Sequence, residues 1–177
     1  MIARNHILWQ SDKSDIINGT VEIPSYIKII KDYAFASHQD LQQIRIPSNV
    51  EFIENCAFKF CKNLKIVDIQ NEDCELSANV FNGCKNLADI KLSRNLKSIP
   101  YACFFDCRSI KKLHLPKTVQ KIEPMAFKFM QSLEEIWIPD AVTEITFEQF
   151  AGCFHVQIHY KGHIYTYADL DAYKIFS

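Results

Sequence analysis

The chain has 177 residues, 48% of them hydrophobic and 23% charged, with a formal net charge of -1 at pH 7. That length suits one domain (1–177) with its own core, and the apolar share excludes a disordered chain. A balanced charge and a pI of about 6.6 give no electrostatic footprint for nucleic acid or an anionic membrane, and no apolar run approaches the roughly 18 residues of a membrane span, so no membrane insertion is expected.

The opening residues, MIARNHILWQSDKSD, lack a long apolar segment and a small-residue cleavage site, and so do not read as a signal peptide. The expected location is cytoplasmic for a complete chain and secreted or cell-surface for a trimmed one. Residues 1–17 read as an N-terminal hairpin cap. His6–Gln10 and Asp15–Asn18 are its two short strands around the polar turn 11–14, with Ile7 and Trp9 sealing the first coil of the repeats.

From Asn18 the chain repeats itself every 23 residues. Six copies fill 18–155: coil one is 18–40, coil two 41–63, coil three 64–86, coil four 87–109, coil five 110–132 and coil six 133–155. Counting the unit from Leu41, position 4 is Val21, Ile44, Val67, Ile90, Leu113 and Ile136. Position 6 is Ile23, Ile46, Ile69, Leu92, Leu115 and Ile138. Position 13 is Ile or Leu throughout, and position 18 is Phe35, Phe58, Phe81, Phe104, Phe127 and Phe150. Strict register without insertion marks a repeat solenoid, because one coil cannot bury its apolar side alone and stacked coils share a continuous core. Apolar positions 4 and 6 around a mostly polar position 5 have period two, a short strand. Proline at position 7 in four copies (Pro24, Pro47, Pro116, Pro139) ends it, since proline has no N–H for the ladder. Positions 10 and 13 mark a second short strand or turn. Positions 17, 18 and 21 have helical spacing, which predicts a helical or 3-10 turn. Stacking then makes a parallel sheet on one face, with strands ~4.8 Å apart, and a phenylalanine spine inside.

The seven cysteines follow the same register. Cys61, Cys84, Cys107 and Cys153 fall at position 21, and Cys103 at position 17. They read as small buried hydrophobes. No CxxC pair occurs, which argues against zinc and thioredoxin-like chemistry. Stacked cysteines ~5 Å apart are within disulfide range, but parallel side chains fit the bridge torsion poorly. Coil three departs from the unit, with Gln70 for Pro and Asp73 where Val or Ile belongs. The acidic run Asn71–Glu75 lacks EF-hand spacing and reads as a solvated bulge.

The outward row, position 5, is where the copies differ. It runs Glu22, Arg45, Asp68, Lys91, His114, Trp137 and then His159. The first four alternate in sign, a mildly favourable lateral ladder of roughly 0.2–1 kcal/mol per pair. A tryptophan between two histidines on an outward row has no core purpose, and such aromatics are enriched at binding hot spots. The row and its neighbours therefore predict a partner-binding patch of Lys91, Lys112, His114, Glu135, Trp137 and His159. The bland counter-reading is a cap or loop folded over Trp137. His114 and His159, two strands and ~9.6 Å apart, are too distant to share one metal. His155, His159 and His163 resemble a helical ligand series, but Val156–Tyr160 reads as a strand, where four residues span ~13 Å.

The chain closes with residues 156–177, a half-repeat and cap. Ile158 and Tyr160 point inward, Lys161-Gly162 turns, and Thr166 caps a helix over Tyr167–Ile175 whose Leu170 and Tyr173 cover the last phenylalanine.

The phrases AFKFCKNLKIVDI and AFKFMQSLEEIWIPDAVTEI resemble the BspA-like, or treponemal-type, leucine-rich repeat family over Thr20 to about Tyr160. The resemblance implies an α/β-type leucine-rich repeat wound as a right-handed coil, without a catalytic site and with a role in adhesion or protein binding. No GxSxG, HExxH, Walker or GxGxxG motif occurs, so neither enzyme activity nor a cofactor is expected. The expected partner is a protein. The alternative is a structural or intracellular scaffold, self-associating or not: Phe52, Phe60, Phe105 and Phe129, apolar at outward positions, pack beneath the turns on the favoured reading and form a self-association surface on the other; monomer or weak homo-oligomer both fit.

Overall fold

The structure, a computed structural model, describes residues 2–4, 6–11 and 15–170. In chain order the strands are β1 (Ile2–Arg4), β2 (Ile7–Gln10), β3 (Ile29–Ile30), β4 (Gln43–Ile46), β5 (Phe52–Ile53), β6 (Ile66–Ile69), β7 (Glu75–Leu76), β8 (Asp89–Lys91) and β9 (Ser98–Ile99). Then come β10 (Lys112–His114), β11 (Lys121–Ile122), β12 (Glu135–Trp137), the one-turn helix α1 (Phe147–Phe150), β13 (Gln157–Tyr160), β14 (His163–Thr166) and a 3-10 turn, Tyr167–Leu170.

Period two at positions 3–6 produces the front wall. β4, β6 and β8 pair in parallel, with Arg45 beside Asp68 and Asp68 beside Lys91. β10, β12 and β13 form a second parallel block, ending in the antiparallel β14. Positions 12 and 13 build the back wall, one block of β1-β2-β3-β5-β7 and another of β9 with β11. The fold is thus a β-solenoid of 23-residue turns with two strand walls.

The helical turn expected at positions 17–21 is absent from coils one to five. Residues at positions 16 and 20 have positive φ in each of them, including Cys56 (57°), Phe60 (60°), Ala102 (49°) and Asp106 (59°). Left-handed residues at this interval cannot propagate a helix, and the segment becomes a run of tight turns. Alternate amides bond within the coil, as from Ala57 to Glu54 and Lys59 to Cys56. The others donate to the next coil, as from Cys56 to Ala78, Phe58 to Val80 and Phe60 to Asn82, and the same three bonds recur at each junction from coil one to coil five. This turn wall is a third ladder. Coil six alone makes a helix, α1, opened by the Thr146 amide donating to Gln149 Oε1 at 2.8 Å.

The core follows the register. The six spine phenylalanines are fully buried, and neighbouring rings lie 5.0–6.1 Å apart, the first five stacked within 15° of parallel and Phe150 tilted by 31°. All seven cysteines are buried free thiols. Position 21 has a polar duty as well: the thiols of Cys61, Cys84, Cys107 and Cys153 donate to the carbonyls of Phe35, Phe58, Phe81 and Phe127 in the preceding coil, at 2.9–3.1 Å. Burial pushes the Cys61, Cys74 and Cys153 thiols up to about 12.

The two ends are covered from opposite walls. The N-terminal hairpin pairs β1 with β2, one element earlier than the sequence reading placed it, and β2 then runs parallel to β3 on the back wall. The expected second strand, Asp15–Asn18, contributes only an isolated bridge, Ile17 to Thr20. Leu8 is the fully buried residue that seals coil one, Ile7 is half-buried, and the Trp9 side chain lies outside what is described. At the other end β13 and β14 form a front-wall hairpin around Lys161-Gly162. Thr166 does bind the following turn, its amide donating to Asp169 Oδ2 at 2.6 Å, but the described turn is 3-10 and ends at Leu170, which is buried. Tyr173 and Ile175 of the expected cap helix lie outside the described residues.

Candidate functional site

Because the front-wall strands are in register, position 5 side chains stand directly beside one another. Trp137 is opposite His114 on one side and His159 on the other. Their rings stack: His114 and Trp137 have centroids 3.9 Å apart and planes within 10°, and Trp137 and His159 are 4.6 Å apart and within 9°. Both faces of the indole are therefore covered by imidazoles. No loop or cap is needed to shelter Trp137, and what it offers solvent is its edge. His114 is exposed, while Trp137 and His159 are half-buried.

Position 3 frames this stack. Lys112 Nζ is 2.5 Å from Glu135 Oε1, and Glu135 Oε2 is 3.1 Å from His159 Nε2. The Lys112 ammonium, and to a smaller extent the His159 ring, hold the Glu135 carboxyl below the ordinary carboxylate range, and the same contact raises Lys112. Lys112, His114, Glu135, Trp137 and His159 thus form one charge-linked aromatic surface. Lys91 does not join it. It lies on β8, in the other block of the front wall, and its ammonium is 3.4 Å from Asp68 Oδ1.

Lys91 is set apart because the front wall breaks between β8 and β10. At the other front junctions between repeats the position 2 carbonyl accepts an amide from position 2 of the next coil, as from Gln42 to Gly19, Lys65 to Gln42, Ala88 to Lys65 and Glu134 to Lys111, and β13 joins by its position 3 amide, from Gln157 to Glu134. The counterpart from Lys111 to Ala88 is missing, and so is the bond from the Leu92 amide to the His114 carbonyl that Leu115 makes to Trp137 and Ile138 to His159. Coil four leans the other way. The Asn95 amide donates to the Glu72 carbonyl at 2.8 Å, Asn95 Nδ2 to Asp73 Oδ1 at 2.8 Å, and Arg94 pairs with Glu72 at 3.2 Å. The bulge of coil three, with Cys74 instead of Asp73 turned into the core, supplies all three anchor points. A cleft of about 780 Å³ results, lined by residues of coils three, four and five. Its floor shows in the burial pattern: Ile90 and Leu92 are only partly buried, whereas the other residues at positions 4 and 6 are buried.

This cleft was missed by reading the sequence. Coil four departs from the unit at Ser93, in the proline slot, and at Pro100, position 14. In other coils the position 14 amide donates to the preceding coil, as from Glu54 to Ile30, Ser77 to Ile53 and Glu123 to Ile99. Proline has no such donor toward coil three, and on that opposite side of coil four the back wall breaks, between β7 and β9. Among the described residues no cluster of three or more His, Cys, Asp or Glu side chains could hold a metal ion. No helix among them is long and apolar enough to cross a membrane.

Comparison with known proteins agrees with this architecture. The chain matches the family described as "BspA type Leucine rich repeat region", six copies across residues 16–128 and 74–169. No curated protein matches it in sequence. Among solved structures it is similar to a leucine-rich repeat protein of T. pallidum, at TM-score 0.80 and 24% identity, covering 89% of this chain and 74% of that one. A leucine-rich repeat protein from Bacteroides ovatus superposes with TM-score 0.64 and 26% identity over 75% of this chain and 40% of that chain. The pneumococcal vaccine antigen PcpA shares the fold at TM-score 0.60 and 17% identity, over 76% of this chain and 31% of its own.

Proposed function

The chain belongs to the BspA-type leucine-rich repeat family, and from that premise we propose that it is a non-enzymatic, adhesion-related protein-interaction module that grips a protein partner on its front wall. The family supports the general class, a protein–protein interaction module. The observation that carries the finer reading is the His114–Trp137–His159 stack. A rigid aromatic edge, held on both faces and bordered by Lys112 and Glu135, is the kind of anchor that dominates interface energetics when a partner excludes water around it. Little side-chain freedom remains to be lost on binding.

The test is affinity capture from host and bacterial extracts with the native chain and with Trp137→Ala. A partner using this patch is retained by the native chain and weakened roughly thirtyfold or more by the substitution, the scale of a hot-spot residue worth about 2 kcal/mol. Partners held equally by both proteins would overturn the reading.

A second reading, a self-associating scaffold, rests on the turn wall. Phe60 and Phe129 are 44% and 39% exposed, and Phe105 meets Phe129 edge-to-face at 5.3 Å. Light scattering decides it: a mass that grows with concentration and reverts in Phe129→Ser favours the scaffold.

A further inference from the structure

We propose that the cleft between coils four and five is a docking slot for an extended, acidic segment of a partner protein. This rests on the reading of the chain as an interaction module and names the chemistry of what it holds.

The backbone supplies the first argument. At this junction the two front-wall blocks face each other without the bonds from Lys111 to Ala88 and from Leu92 to His114. Strand edges left without a ladder partner are addressed by another extended backbone, which exchanges main-chain hydrogen bonds and places alternate side chains on the floor. The floor is apolar where such side chains would land, at the partly buried Ile90 and Leu92.

Charge supplies the second. Lys91, Arg94 and Lys117 line the cleft with His114, and Glu72 is the one carboxylate among the lining residues. Glu72 is already engaged by Arg94 in a well-exposed pair, and the exposed Lys91 leans on the half-buried Asp68. The exposed Arg94–Glu72 pair is worth little and exchanges readily for a better partner. An acidic segment is therefore complementary to the rim. The slot is also bounded: the Thr118 hydroxyl lies 2.9 Å from the Arg94 carbonyl and 2.8 Å from the Leu96 carbonyl, tying coil five to coil four at the turn.

The test uses the full chain and three fluorescein-labelled octapeptides followed by polarisation: alternating Glu-Val, alternating Lys-Val, and Glu-Val with alternate backbone nitrogens methylated. The Glu-Val peptide is expected to bind at least about tenfold tighter than either of the others. Lys91→Glu and Lys117→Glu each weaken it about tenfold, both positions being exposed and remote from the core, and hydrogen exchange at the Leu92 amide slows in the complex. Equal binding of Glu-Val and Lys-Val, or no effect of the two charge reversals, overturns the proposal. Undiminished binding of the methylated peptide also overturns it, since the cleft is then an anion site without strand pairing. Trp137→Ala separates the two readings. Peptide binding without Trp137-dependent capture of a partner sinks the aromatic patch alone. Trp137-dependent capture without peptide binding sinks the cleft alone.

Discussion

At Cys61, Cys84, Cys107 and Cys153 one side chain does two jobs, filling a core position and donating to a carbonyl of the coil before. Desolvation makes these thiols poor acids, with Cys61 and Cys153 pushed up to about 12 from an ordinary 9.0. A group whose folded pKa is raised contributes stability that is full below its unfolded pKa and is lost as pH rises through the folded value. The urea midpoint is therefore expected to fall between pH 9 and 12, and Cys61→Ala to flatten that fall. The folded protein should also leave Ellman's reagent unreacted at pH 8 until denaturant is added; prompt reaction of several thiols in the native state would contradict their burial. The spine tests packing directly. Phe81→Ala removes a fully buried ring flanked on both sides and is expected to cost about 3–5 kcal/mol in chemical denaturation.

Elements that rest on burial were readable from the sequence. Positions 4, 6, 13 and 18 are apolar because they are inside, and the front strands and the spine came out in the expected register. The turn wall was not readable, because apolar spacing at 17, 18 and 21 suits a helix equally well. The deciding factor is positive φ at positions 16 and 20, which Tyr33, Asn79, Met125 and Phe129 adopt at a conformational cost that Gly83 avoids, and apolar spacing carries no warning of it. The candidate patch was legible as a set of residues and not as a surface: Lys91 has the right position number and sits across a break. Gly83 is where the turn wall is most exacting. A Cβ there would come within 2.3 Å of the Phe60 ring, which lies across it from the coil before. Gly83→Ala should lower stability by roughly 1–2 kcal/mol. Adding Phe60→Ala should return the steric part and leave the backbone part, which denaturation of the double variant measures.

For the molecule as a whole, coil four is the joint. It pairs with coil three on the front wall and with coil five on the back wall, and lacks the complementary ladders on each side. Only the turn wall runs through both junctions, by Asn79, Phe81 and Gly83 to coil four and by Ala102, Phe104 and Asp106 to coil five. Stability in a stacked array is a sum of nearest-neighbour terms, so the two halves are held to each other less firmly than coils within a half. Native-state hydrogen exchange should find the Leu92 and Lys111 amides in the fastest class of the repeat region, with Phe81 and Phe104 among the slowest. Uniform protection along the repeats would contradict this joint.

The uneven division of labour among the walls has a consequence for how such a chain can change. An inserted residue in the turn wall would shift alternate amides out of phase with both neighbouring coils, whereas coil three already carries a displaced register at Asn71–Cys74 and returns to phase by Leu76, beside Ile53. The loop after the front strand is therefore the place where length variation and grafted sequence are tolerated. The molecule can grow or shrink only by whole 23-residue units elsewhere, and its surface can diversify along that one seam while the remainder of each unit stays fixed.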